Sequence, residues 1–433
     1  MRCVSTRGGD AQSLSGAIAL GLASDGGLFL PALPLPRMSG RPVGSSLEAT
    51  ARWLLAPFFT GEALEPQLPA ICREAFSFDA PVRWLPTAGG DDGLLELFHG
   101  PTAAFKDFGA RFLAQCLAAL RPEGARQQTV LVATSGDTGA AVASAFHRRR
   151  GVSVVILYPD GRVSARQAHQ LGAWGDNVRT FRVDGSFDDC QRMVKEAFAE
   201  RAWAEARGLT SANSISLGRL LPQMAYYAHA ALRAADEGRG PVSFVVPTGN
   251  LGNALACLMA RAMGLPIARV VLATNANQVL PDFLRSGRYE PRASVRTLAN
   301  AMDVGAPSNL ERLRAMFDDV SQYVSSDWVG DADIAATIRQ AWSETGVVIC
   351  PHTACGLAVL RRLRSQGAKG RWLVAATAHP AKFETIVEPL IGRRVEVPPA
   401  LASLLERPSR ASPLPATLSA LQAVLASPAG EDH

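Results

Sequence analysis

From Leu94 onward the chain repeats one arrangement: a short aliphatic or β-branched run, a turn, then a stretch with helical periodicity. The runs are Leu94 to Phe98, Thr129 to Ala133, Val152 to Tyr158, Val242 to Val246, Val270 to Ala273 and Trp372 to Ala376. Strands of this kind, alternating with helices, predict an α/β fold of open parallel or mixed sheets covered by helices on both faces. A helical stretch ends at Asp236-Glu-Gly-Arg-Gly-Pro241 before a new strand, and this break predicts two α/β domains, 91–240 and 241–396. Residues 1–90 alternate helices such as Leu14 to Leu22 with loops such as Ser24-Asp-Gly-Gly27. They predict an N-terminal covering segment without a sheet of its own. The tail, 397–433, contains several prolines and one apolar periodic stretch, Leu418 to Leu425, expected to pack as a terminal helix.

Composition bounds the rest. A chain of 433 residues with 48% hydrophobic and 19% charged content can bury the cores of two packed domains. The formal net charge of +5 comes from scattered arginines. The run Arg148, Arg149 and Arg150 reads as a solvated helix end and not as a nucleic-acid patch, while the basic balance suits an anionic substrate. Seven cysteines without a C-x-x-C pair argue against a disulfide framework or a zinc site and fit a reducing compartment. The opening Met-Arg-Cys-Val-Ser-Thr-Arg-Gly lacks the apolar core of a signal peptide, and no run approaches ~20 apolar residues. The expectation is a cytoplasmic protein with neither a membrane nor a nucleic-acid partner.

Three strand ends carry chemistry. His99-Gly-Pro-Thr-Ala-Ala-Phe-Lys106-Asp-Phe-Gly109 places a lysine between two phenylalanines at the start of an apolar helix. Burial there lowers an amine's pKa, and a neutral amine is what Schiff-base chemistry needs. Taken alone, Lys106 also fits a side chain that snorkels past Phe105 and Phe108 or pairs with Asp107. Thr134-Ser-Gly-Asp-Thr-Gly139 puts hydroxyls, a carboxylate and backbone N–H groups at a strand's carboxyl end, where open α/β folds bind ligands; a plain turn with an N-cap is the alternative. Pro247-Thr-Gly-Asn-Leu-Gly-Asn253 opens a helix with glycines that let N–H groups converge on a phosphate. The spacing Gly249-Asn-Leu-Gly252 departs from G-x-G-x-x-G, and no Walker lysine follows, so a small phosphorylated cofactor fits better than a dinucleotide.

An amine, a polar cradle and a phosphate nest on successive strand ends are complementary parts. With them the chain resembles the fold-type-II pyridoxal-phosphate enzymes, and among these the threonine synthases, from Met1 to about Glu396. The resemblance is carried by Ser5-Thr-Arg-Gly8 with Gly21 to Leu28, His99 to Phe108, Thr134 to Gly139, Asn213 to Gln223, Pro247 to Asn253, Met302-Asp-Val-Gly-Ala-Pro-Ser-Asn309 and Ala376-Thr-Ala-His-Pro-Ala-Lys-Phe383, in that order. It implies pyridoxal 5'-phosphate held as a Schiff base on Lys106, with Asp137 on the side of the cofactor's 3-hydroxyl. Gly249, Asn250, Leu251, Gly252 and Asn253 are implied around the cofactor phosphate, and the Thr377 hydroxyl against the pyridine nitrogen. A hydroxyl cannot hold that nitrogen protonated as a carboxylate would, which weakens the ring as an electron sink. Without the resemblance, Thr377 reads equally as a buried threonine satisfied by backbone.

The implied substrate, O-phospho-L-homoserine, carries a carboxylate and a phosphate and so requires a second anion site. Thr102, Ser135, Ser164, Arg166, Asn213, Ser214 and Arg219 are the implied substrate residues; an arginine's planar fork suits phosphate, although each arginine alone also fits the surface. Lys106, once freed, is the expected general base at Cα. The implied product is L-threonine. The alternatives are a phospho-lyase or dehydratase releasing 2-oxobutanoate, and a non-catalytic binder of the cofactor. The protein is expected as a monomer or homodimer. Two positions depart from the pattern. Related folds often have asparagine where Asp137 stands, and Cys350 occupies a place before Pro351 where an acidic or aliphatic residue is expected. His352 reads as structural or pocket-lining, because no second ligand stands at metal spacing.

Overall fold

The structure is a computed structural model and describes residues 1–86, 91–122, 124–238 and 240–426. Its three sheets differ in how they relate to chain order. The first is antiparallel, β1 (Arg2–Ser5), β2 (Gln12–Ser13) and β3 (Phe29–Pro31), in the order β2-β1-β3. The segment expected to lack a sheet therefore has one. Its strands are two to four residues long, too short for alternation to register in sequence, and Cys3, Phe29 and Leu30 in them are buried.

A six-stranded sheet comprises β4 (Val82–Trp84), β5 (Asp92–Glu96), β10 (Val242–Pro247), β11 (Ile267–Thr274), β12 (Ser325–Trp328) and β13 (Arg371–Ala376). The order is β12-β11-β10-β13-β5-β4, parallel except at β4. A five-stranded, wholly parallel sheet comprises β6 (Gln128–Ala133), β7 (Val152–Pro159), β8 (Val178–Asp184), β9 (Leu209–Ser211) and β14 (Ser412–Pro415), in the order β14-β8-β7-β6-β9. Helices cover the parallel strands, and β7 is buried along its whole length, as expected of a strand packed on both faces.

Sheet membership crosses the sequence division in three places, one of them β4, which lies before residue 91 and pairs with β5. Strand β5, which precedes the lysine, pairs with β13 and so belongs to the sheet of residues 242–376. The tail contributes β14 to the other sheet besides its helix, Leu418–Ala426. Parallel pairing is decided by packing across the domain and leaves no local mark. Because β5, β13 and β10 are neighbours, the loops after them meet at one carboxyl edge, the usual ligand position of open α/β sheets.

A buried guanidinium ties the N-terminal sheet to that edge. Arg312 donates from Nε to the Phe29 carbonyl (2.8 Å), from one terminal nitrogen to Asn309 Oδ1 (2.7 Å), and from the other to the Ile215 carbonyl. All seven cysteines are free and buried. Among the described residues no helix is long and apolar enough to cross a membrane.

Candidate active site

The loop after β5 is stitched to the loop after β13. Phe105 N–H donates to the Thr377 carbonyl (2.9 Å) and His379 N–H to the Ala103 carbonyl (3.0 Å), with Ala103 in the left-handed region at φ 54°. This turn delivers Lys106 as the first residue of the helix Lys106–Leu120. Its Nζ lies 4.5 Å from the Phe105 ring centroid. Burial pushes the amine down to about 7; the Arg219 guanidinium adds to the effect and Asp137 opposes it. Asp107 does not pair with Lys106. Its carboxylate accepts from Thr102 N–H (2.9 Å) and from the Thr102 hydroxyl (2.7 Å), and burial pushes it up to about 6.

After β6, the Thr134 hydroxyl oxygen accepts from Gly136 N–H (3.0 Å) and Gly139 N–H (2.8 Å). Gly136 has φ 127°, and a Cβ there would stand 2.6 Å from the Gln167 amide nitrogen, so only glycine serves. The turn starts the helix Asp137–Phe146, with Asp137 buried at its head. Asp137 Oδ1 lies 2.7 Å from Lys382 Nζ and accepts from Gln167 Nε2 at 3.0 Å. Burial alone would raise this carboxyl, but the Lys382 charge and the hydrogen bonds outweigh it and hold the group below the usual carboxylate range. The aspartate found where asparagine is common thus has its partner in Lys382.

After β10, Leu251 takes the left-handed conformation (φ 64°) and caps the helix Gly252–Ala262. The first intrahelical bond is from Leu255 N–H to the Leu251 carbonyl (2.8 Å), which leaves the amides of Gly252, Asn253 and Ala254 at the helix head for an anion. Side chains pin this loop from outside. Asn250 donates to the Ser214 hydroxyl (2.8 Å) and accepts from Ser308 N–H (2.5 Å), while Asn309 donates to the Asn250 carbonyl (3.0 Å). Asn253 Oδ1 accepts from both Tyr226 (2.6 Å) and Tyr227 (2.9 Å). Gly249 is pressed against the Met302 segment, where a Cβ would lie 2.8 Å from the Met302 carbonyl oxygen.

The residues present fit a phosphorylated cofactor. Asn253 Nδ2 and Asn213 Oδ1 are buried without a hydrogen-bond partner among the described residues, an arrangement that is costly unless a ligand completes it. Thr377, just past the end of β13, is buried as well. No cluster of metal-ligating side chains is present among them.

The implied substrate residues divide into two groups. Asn213, Ser214 and Arg219 lie on the segment facing the phosphate loop and Lys106; Arg219 is buried, donates to the Ala212 carbonyl (2.6 Å) and has no carboxylate within ion-pair distance among the described residues. Ser135 is half-buried in the turn after β6. The others are engaged with protein groups. The Thr102 hydroxyl is held by Asp107, the Ser164 hydroxyl donates to the Lys382 carbonyl (2.7 Å), and Arg166 donates to the Ala381 carbonyl (2.5 Å) and lies 3.6 Å from Glu384. Lys382 and Gln167 went unnoticed in sequence. The signal for Lys382 was the one that singled out Lys106: a lysine set among apolar residues, Ala381 and Phe383, just past a strand end.

His352 accepts from Ala301 N–H at Nε2 (3.1 Å), which puts its proton on Nδ1, and burial pushes it down to about 4, so it stays neutral. Cys350 has a local explanation: it is the N-cap of the helix Pro351–Ser365, its sulfur accepting from Thr353 N–H (3.4 Å). Cys350→Ala is expected to cost about 1 kcal/mol, and Cys350→Ser to retain most of the stability, in thermal or urea unfolding. An alanine variant as stable as the parent would refute the cap.

Known proteins resemble this chain in sequence and in fold. The model of the pyridoxal-phosphate dependent enzyme family matches residues 81–378, and that of the threonine synthase C-terminal region matches residues 353–425. The threonine synthase of Serratia marcescens is 41% identical over 95% of this chain and 96% of its own; that of Escherichia coli K12 is 40% identical over the same shares. The crystal structure of threonine synthase from Escherichia coli superposes with a TM-score of 0.90, covering 98% of this chain and 99% of that one at 38% identity. The PLP-bound threonine synthase from Brucella melitensis gives 0.88, with 98% of both chains covered at 34% identity. On the strength of near-complete coverage in both sequence and structure, the chain belongs to the threonine synthase family of pyridoxal-phosphate-dependent enzymes.

Proposed function

We propose that the enzyme converts O-phospho-L-homoserine and water to L-threonine and phosphate, with Lys106 carrying the cofactor and moving protons. The observation that supports this most directly is an amine held near neutrality beside a helix-head anion cradle and a buried, carboxylate-free guanidinium, Arg219. Pyridoxal phosphate, when bound, supplies a ring that delocalises charge developed on carbon next to the substrate amine. The chain's own residues do the rest. The amides of Gly252 and Asn253 and the side chain of Asn253 would hold the cofactor phosphate, and Thr377 would face the ring nitrogen. Lys106 Nζ, with a pKa of about 7, can both take a proton from Cα and return one at neutral pH, the condition for a single group to serve as base and acid. Arg219 and Asn213 supply charge and an amide for the second anion.

In this reading the enzyme works in the cytoplasm, where its free cysteines are stable, as a monomer or homodimer. The test is to incubate purified enzyme with O-phospho-L-homoserine and follow threonine, 2-oxobutanoate and phosphate together. Equal threonine and phosphate are expected; phosphate with 2-oxobutanoate and no threonine would make it a phospho-lyase.

Lys106 also predicts a pH dependence. Its neutral form is the one that attacks an aldehyde, and the lowered pKa makes that form predominant above about pH 7. Attachment of pyridoxal phosphate, trapped by borohydride and read as the mass of the Lys106 peptide, should rise with a midpoint near 7 and be level by pH 9. A rise continuing towards pH 10, as for an ordinary lysine at about 10.4, would sink the desolvated-amine reading.

A further inference from the structure

We propose that Lys382 is a positioning residue of this site: its buried ammonium pairs with Asp137 and anchors it to the Thr102 carbonyl, and so offsets the pull of Asp137 on the Lys106 amine. The inference rests on the reading of Lys106 as the cofactor lysine.

The geometry is specific. Lys382 is fully buried, with Nζ 2.7 Å from Asp137 Oδ1 and donating to the Thr102 carbonyl at 2.8 Å. The two ends of this bridge belong to the two loops that matter. Asp137 heads the helix after β6, and Thr102 lies in the turn that delivers Lys106. Gln167 completes the seat, donating to Asp137 and accepting from the Asn300 amide (3.1 Å). A cation buried without an anion, or an anion without a cation, is strongly unfavourable, so neither member is dispensable by itself.

The charged groups that act on Lys106 are Arg219 and Asp137; Asp107, next to it on its own helix, is bound to Thr102. His352 senses Lys106, Asp137 and Lys382 together and is neutral. With Asp137 offset by Lys382, the Arg219 guanidinium is the larger of the two charge effects, and it favours the neutral, reactive amine. Without Lys382, an Asp137 carboxylate still held ionised by its hydrogen bond from Gln167 would favour the ammonium; without Asp137, the Lys382 charge would oppose it.

The test uses the full-length enzyme, stripped of cofactor and reloaded with pyridoxal phosphate across a pH series, with attachment to Lys106 trapped by borohydride. Lys382→Met is expected to move the midpoint up by about one pH unit and Asp137→Asn to move it down by about as much, while the double variant returns to within a few tenths of the parent. Lys382→Gln keeps a donor for the Thr102 carbonyl but no charge, and carries the test if Lys382→Met does not fold. Opposite shifts are the signature of charge balance. A bridge with only a structural role would lower the melting temperature of both single variants and leave the midpoints where they are, or move them in the same direction; that result overturns the proposal. If the parent shows no trapped Lys106 peptide, the proposed function fails together with it; if the parent traps normally and the shifts are absent, this inference fails alone.

Discussion

Lys106→Ala is expected to lower turnover of O-phospho-L-homoserine by at least ~10³-fold and to abolish the covalent attachment of the cofactor, with little change in folding stability. The size follows from the number of tasks that converge on one nitrogen. In the proposed function it attaches the cofactor and serves as the base, and its buried surroundings hold its pKa at about 7. The small stability effect follows from position. Lys106 opens a helix, alanine is the best helix former, and the amine removed has no ion-pair partner among the described residues, since Asp107 is bound to Thr102. Phosphate release, borohydride trapping and a melting curve on the same preparation separate these effects. Activity within tenfold of the parent would reject Lys106 as the cofactor lysine.

The second large effect lies outside the reacting groups. Arg312→Met should destabilise the protein by roughly 3 kcal/mol or more and weaken retention of pyridoxal phosphate. Three acceptors lose their donor at once: the buried Phe29 carbonyl and Asn309 Oδ1, and the half-buried Ile215 carbonyl. Each unsatisfied acceptor costs about 1–3 kcal/mol, offset in part by no longer burying a charge. That burial cost is visible in the guanidinium itself, which desolvation pushes down to about 9. Asn309 in turn holds the Asn250 carbonyl, so the loss reaches the phosphate loop. Arg312→Lys should fail to rescue, because a single ammonium cannot aim at three separated carbonyl and amide oxygens as a planar fork does. Urea unfolding with and without cofactor measures both consequences, and a change under 0.5 kcal/mol would show that the N-terminal sheet is held by other contacts.

The parts of the site legible in sequence are those written within a few residues of one another. Phe105, Lys106 and Phe108 mark an amine entering an apolar helix, and the structure gives that amine a lowered pKa. The two glycine-rich loops were marked by composition, and the structure puts Gly136 at positive φ in one and Gly249 hard against the Met302 segment in the other. The phosphate loop was legible through its glycines, although the residue that takes the left-handed conformation is Leu251.

Local order alone determined the alternation of strand and helix, the three strand-end loops and the lysine, because periodicity, turn chemistry and flanking side chains act between near neighbours in the chain. Tertiary structure alone decided that β5 pairs with β13, that the first residues build a small sheet, that Arg166 and Ser164 engage the backbone of Ala381 and Lys382, and that Asp137 is balanced by Lys382. These are contacts between segments far apart in sequence. Each is selected by how the packed sheets bring loop ends together and by the cost of leaving a buried charge or carbonyl unpaired, and neither condition exists until the chain has folded.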